Sequence, residues 1–401
     1  MRRTIGAVGA TLTAAGIIVG GIGLVARAAT PQTSQATAAL RYLSLQVGTD
    51  GSVAPALGPG ATEDTVISVA DSGYDPATLT SPSTGTSTYH YLSSQAAAID
   101  TAGGAAKYVL AWLAAGKPAA IDGTALLAKL NTPAPGGYLQ PNGAFRNATA
   151  SIETANAYSQ SLAVLADVGA GHVLPANATG WLTCAQRTDG GFGYVVDDSA
   201  ASPPTSCGDT TSDTNDTAII LQALGQAGVT SADAAAKNYL HSAQHSDGGF
   251  GFNAGSGSDP DSDGTVVQAL VAIGQDPTGT SWTTTGGANP LTDLGSFADP
   301  HGSGGYVNTG NTTPDAFTTS TVPQALALKP YAAATTVVAG SSPPPAPPVT
   351  PSPTGAVRAV AAPSTGGAGA LRGSAWALLL LALGSAALAA AALHGRRSSV
   401  P

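Results

Sequence analysis

Six short apolar segments, each stopped by glycine or proline, recur along the chain at intervals of roughly fifty residues. They run Asp64–Gly73, Gly104–Gly116, Tyr158–Gly169, Asp216–Gly228, Asp263–Gly274 and Thr319–Pro330. Apolar residues fall on nearly every face, the pattern of a helix buried all round. Asp at several starts and Gly at most ends supply caps. More polar segments precede these, and four carry an aromatic–Leu pair followed by Gln: Tyr42-Leu43 with Gln46, Tyr91-Leu92 with Gln95, Trp181-Leu182 with Gln186, and Tyr239-Leu240 with Gln244. They predict outer helices over an inner layer. Glycine-aromatic turns link the two sets at Asp189–Gly193, Asp247–Gly251 and Gly304-Gly305-Tyr306, with a weaker copy at Gly143-Ala144-Phe145. An open stack needs polar capping repeats, and the first and last units here are ordinary. The expected fold is all-α, a closed α6/α6 toroid of six helix-pair repeats over residues 35–332.

The eight-residue runs Gln186-Arg187-Thr188-Asp189-Gly190-Gly191-Phe192-Gly193 and Gln244-His245-Ser246-Asp247-Gly248-Gly249-Phe250-Gly251 resemble the repeat signature of the squalene-hopene cyclases and protein prenyltransferases. The resemblance implies the toroid fold. Because cobalamin carriers and complement thioester domains share that barrel, it does not imply one activity. In the cyclases an Asp-x-Asp-Asp-Thr-Ala motif carries the proton donor at its middle Asp. The nearest run here is Asp213-Thr214-Asn215-Asp216-Thr217-Ala218, which puts Asn215 at the acid. An amide cannot deliver that proton. The body also has only Trp112, Trp181 and Trp282 as tryptophans to line a cation cage. Prenyltransferases hold zinc with Asp, Cys and His, but the body's histidines are scattered. Thioester domains need a Gly-Cys-Gly-Glu-Gln run, which is absent.

These comparisons predict a non-catalytic domain that binds a small hydrophobic or corrinoid-like molecule. The expected ligand contacts at the cavity mouth are the turn aromatics Phe192, Phe250 and Tyr306 with the acidic starts Asp213, Asp216, Asp261 and Asp263. No cofactor is expected. The enzymatic alternative is a diverged class II terpene cyclase with Asp213 or Asp216 as general acid; an adhesion or scaffold domain is the third reading. Asp259-Pro260-Asp261-Ser262-Asp263-Gly264 opens like a calcium loop, with Asp259, Asp261 and Asp263 as ligands. Its twelfth position is Leu270 where such loops carry Glu, so a tight acidic turn is the plainer reading. Glu153 with Asp213 or Asp216 would make a glycosidase-like carboxylate pair.

All 24 acidic residues but only 8 of the 15 Lys and Arg lie between the two ends, which gives the body a formal charge of −16. Such a surface repels nucleic acid and anionic lipid. Residues 1–29 read as a signal peptide: Arg2-Arg3, an apolar run, then Ala26-Arg27-Ala28. Residues 340–373 form a Pro/Ala/Gly-rich stalk, and 374–393 form an uncharged transmembrane helix. The basic tail 394–401 should stay in the cytoplasm, leaving the body extracellular on a single-pass anchor. Pro363-Ser364-Thr365-Gly366 also resembles a sortase signal, which would move attachment to the cell wall at Thr365. In an exported chain, Cys184 and Cys207 are expected to form a disulfide.

Overall fold

A computed structural model describes residues 31–146, 156–207, 211–332 and 337–344. The segments expected as signal peptide (1–29), transmembrane helix (374–393) and tail (394–401), most of the expected stalk including Thr365, and Glu153 all lie outside the described residues. The span that is described holds twelve α-helices and, among those residues, no β-strand, only isolated bridges. In chain order they are α1 (Thr33–Leu45), α2 (Gly60–Asp71), α3 (Thr88–Gln95), α4 (Ala102–Ala114), α5 (Thr124–Asn131), α6 (Ala157–Ala170), α7 (Ala178–Cys184), α8 (Thr214–Gln226), α9 (Asp233–Ala243), α10 (Pro260–Ala272), α11 (Pro290–Ser296) and α12 (Ala316–Leu326).

The even-numbered helices touch one another in sequence, and α12 returns to α2, so the inner layer closes into a ring. Small residues permit this close approach. Gly103 of α4, for instance, lies so near Ser159 of α6 that a Cβ would sit 2.5 Å from its Oγ. The odd-numbered helices form the outer layer. Each packs mainly on the inner helix before it, and α1 packs on α12. The outer-then-inner order of the sequence pattern is therefore not the spatial unit. Connections from inner to outer helix are mostly short and fold the chain straight back, while the glycine-aromatic turns cross to the next unit. The core lies between the two layers and holds Trp181, Trp282, Phe145, Phe192 and Phe250.

Inner helices start earlier than their apolar runs suggest. Asp213, Asp259 and Asp315 are the N-caps of α8, α10 and α12, each accepting a hydrogen bond from the backbone N–H three residues on, at 2.7, 2.8 and 2.8 Å. Asp216 and Asp263, read from sequence as starts, lie one turn inside. The same registration corrects the calcium loop. Residues 260–272 are helical, and the three aspartates diverge: Asp259 caps, Asp261 meets Asn308 and Thr321, and Asp263 accepts from the Phe250 N–H at 2.7 Å.

The turns fit their neighbours closely. Gly190 has φ +92, and a Cβ there would sit 2.3 Å from the Ala235 carbonyl of α9. The Gln186 amide donates to the Gly190 and Ala232 carbonyls, and Gln244 donates likewise to Gly248 and Trp282. The aromatic residue of each turn is strapped to a cap: the Asp213, Asp259 and Asp315 N–H groups donate to the carbonyls of Phe192, Phe250 and Tyr306. Cys184 and Cys207 are joined as a disulfide, with Cα atoms 5.0 Å apart.

Candidate functional site

Counting each inner helix from its cap places equivalent residues at equivalent depths. Two positions after the cap stand Tyr158 in α6, Asn215 in α8, Asp261 in α10 and Phe317 in α12. Six positions after stand Lys107, Ile219, Thr265 and Thr321. All eight line one cavity of about 70 Å³, framed by all six inner helices, together with Asp64, Asp213, Asp216, Tyr194, Phe252, Gln268 and Tyr331. At nine positions after the cap a buried glutamine recurs in three helices. Gln268 donates to Gln324, Gln324 donates to Ser68 of α2, and Gln222 accepts from the Tyr331 N–H.

The cavity is acidic and aromatic. The one lysine among its described lining residues is committed: Lys107 Nζ lies 2.7 Å from Asp64 Oδ2. Burial works against the ammonium, but Asp64, joined by Tyr158 and Glu63, outweighs it and the Lys107 pKa is raised. Tyr331 Oη donates to the other Asp64 oxygen at 2.8 Å. Beside this pair, Glu63 is fully buried; desolvation, opposed by Lys107, pushes its carboxyl up to about 8. Across the cavity, burial foremost and then the Asp213 carboxyl hold Asp216 well above the usual carboxylate range. Burial also raises Asp261 well above that range, followed by the charges of Asp259 and Asp315. Asp261 Oδ2 accepts from Asn308 Nδ2 at 3.1 Å, and Oδ1 from Thr321 Oγ1 at 3.2 Å. The Asn215 side-chain oxygen is buried with no hydrogen-bond partner among the described residues.

Several expected ligand contacts lie elsewhere. Phe192, Phe250 and Tyr306 are at most 1 % exposed and do not line the cavity. Their straps to the caps hold them in the wall, and the chain bends just after the two phenylalanines, so that Tyr194 and Phe252, two residues on, line the cavity instead. Asp263 is also outside the lining. Burial and the nearby Asp293 hold its carboxyl well above the usual range. Asp213 and Asp216 do line it. Asp261, expected beside the cavity with the other acidic starts, lines it as well. Sequence reasoning missed Lys107, Asp64 and Tyr331 as lining residues, and no repeat marks Tyr331.

Neither protein-family models nor curated proteins match the sequence. Among solved structures, a variant of the type II terpene cyclase MstE from Scytonema, in complex with its substrate geranylgeranyl dihydroxybenzoate, aligns at a TM-score of 0.51 and 14 % identity, covering 74 % of this chain and 97 % of that one. The unsaturated glucuronyl hydrolase of Bacillus sp. GL1 aligns at 0.48 and 11 % identity, over 74 % and 95 %. The ent-copalyl diphosphate synthase of Streptomyces platensis aligns at 0.44 and 17 % identity over 67 % of this chain, which spans about half (49 %) of the synthase. The likeness to MstE is one of fold: the chain is an α/α toroid built as the type II terpene cyclases are.

Proposed function

We propose that the mouth of the ring is a general-acid cavity, in which a neutral carboxyl protonates a small electron-rich ligand and the aromatic walls hold the positive charge that results. One observation carries the reading. Asp261 occupies in α10 the register that Asn215 occupies in α8, and its buried carboxyl faces the same cavity. The acid missing at Asn215 is thus supplied one unit further round the ring. Asn308 and Thr321 both donate to Asp261, so the carboxylate left after proton transfer keeps two hydrogen bonds. Asp213 is occupied in capping α8, and Asp216 stands behind as a second buried carboxyl, its pKa raised by burial and then by Asp213. Tyr158, Tyr194, Phe252 and Phe317 bring four aromatic residues to the lining, the kind of side chain that holds a cation.

Protonation of an alkene carbon leaves a tertiary cation, and loss of a proton from its neighbour to the Asp261 carboxylate restores the acid. The cycle needs no co-reactant. Small isoprenoid alkenes incubated with the protein in D2O should therefore take up deuterium at the double bond, read by mass spectrometry. Asp261→Asn should slow uptake by at least about 100-fold, the range of a lost general acid. Uptake unchanged in Asp261→Asn, or none in the parent protein, would overturn the assignment.

A second reading, binding without turnover, is favoured by the acidic lining, since three carboxyls beyond the Asp64–Lys107 pair can give up protons when a cation enters. That ligand would be a compact ammonium. A corrinoid does not suit the site, because about 70 Å³ takes a few waters or one small head group.

We further propose export and display outside a membrane, anchored through residues 374–393 or by a wall link at Thr365. The two terminal sequences support this, and the disulfide fits an oxidising compartment. The mature protein should begin near Thr30 and fractionate with the envelope. A mature chain that begins at Met1 and fractionates with the cytosol would sink the proposal.

A further inference from the structure

Tyr331 belongs to no repeat, yet it sits inside the ring. The chain leaves α12, takes left-handed conformations at Leu328 (φ 54) and Ala332 (φ 53), and between them inserts Tyr331 among the inner helices, where it is 7 % exposed. Two bonds to distant elements fix it there: its N–H donates to Gln222 Oε1 of α8 and its hydroxyl to Asp64 Oδ1 of α2, each at 2.8 Å. Non-glycine residues in the left-handed region are costly to hold, and two of them frame one buried side chain. Beyond residues 333–336 the chain is tied again, with the Val338 N–H donating to the Gly73 carbonyl at the far end of α2. The phenol ring thus forms part of the cavity lining and takes up space that a ligand would otherwise fill.

We infer that Tyr331 determines ligand length. It is a specificity-determining floor: its ring stands where the second isoprene unit of a longer ligand would lie, so the cavity admits a single-unit head and turns away extended chains. The inference rests on the acid-cavity reading above, because it needs a ligand that enters with a cation-forming head toward Asp261 and a hydrocarbon tail toward Tyr331.

Tertiary amines that carry one, two or three isoprene units imitate the cationic state and serve as probes, with binding read by calorimetry on the intact chain. The parent protein should bind the one-unit amine and reject the longer two by at least about tenfold, a difference of about 1.4 kcal/mol. Tyr331→Ala should reverse that order. Tyr331→Phe should keep the parent order, because it retains the bulk and loses only the bond to Asp64. Should Tyr331→Ala fail to fold, Tyr331→Leu carries the same expectation with a smaller reversal. The parent order persisting in the smaller variants overturns the floor while leaving the acid cavity standing, as does its loss in Tyr331→Phe. No binding of any amine by the parent protein overturns the acid cavity and the floor with it.

Discussion

Replacing Lys107 by methionine is expected to cost roughly 3–5 kcal/mol of folding free energy, the range for removing one partner of a buried ion pair. Lys107 Nζ is 2.7 Å from Asp64 Oδ2, and their side chains are only 13 % and 5 % exposed. Without the ammonium, Asp64 would be left as an uncompensated charge beside Glu63, in a cavity whose described lining offers no second cation. Part of the loss would appear as protonation of Asp64, so it should be smaller in acid than at neutral pH. The double variant Lys107→Met with Asp64→Asn should recover more than half of it, because an amide can still accept from Tyr331 and carries no charge. Urea denaturation of the three proteins checks this. A loss below about 1 kcal/mol, the level of a solvent-exposed pair, would show that the pair does not hold α2 to α4.

The second large effect concerns pH. Glu63 has its pKa raised from 4.5 to about 8 in the folded chain. The folded state therefore keeps a proton that the unfolded chain has released, and stability is lost as pH rises through that window. The slope is about 1.4 kcal/mol per pH unit for one retained proton. Asp216, Asp261 and Asp263 are raised by burial and add in the same direction. Asp50, Asp122, Asp197 and Asp299 are lowered by local hydrogen bonds and act oppositely, but they lie in solvent, where such effects are screened. The thermal midpoint should consequently be higher at pH 5 than at pH 8.5. Glu63→Gln should raise it at pH 8.5 and leave it little changed at pH 4. A flat profile, or one rising with pH, would contradict the burial of neutral carboxyls around the ring.

The six inner helices were legible in the sequence because a ring buries every face of its inner layer, so the apolar runs stand out without a polar stripe. The Gln-x-x-Asp-Gly-Gly-Phe-Gly runs were equally plain, since Gly190 and Gly248 both sit where a Cβ would strike the backbone of the next unit. What the pattern hid was depth. Asp216 and Asp263 begin the apolar runs, yet the backbone had already turned helical after Asp213 and Asp259, and that shift of three or four residues decides which side chains reach the cavity. It keeps Asp261 in the site and turns Asp263 out of it. Tyr331 was beyond reach for a different reason. Its hydroxyl meets Asp64 across 267 residues of chain, and nothing local marks a tyrosine for such a partner.

The seam where α1 meets α12 bears on how the molecule assembles. The Gln32 N–H donates to the Leu326 carbonyl, and α12 also rests on α2, so the final contacts join the first helices to the last. Pairings this distant along a chain form late, after the entropy of closing the intervening loop has been met. During synthesis α2 and α10 would hold their apolar flanks open until α12 is made. Over that interval the nascent chain carries two unsatisfied surfaces of matching shape, and two such chains can fill each other's gap. The rate at which α12 docks, more than the strength of any one repeat, would then govern the yield of single rings over exchanged pairs.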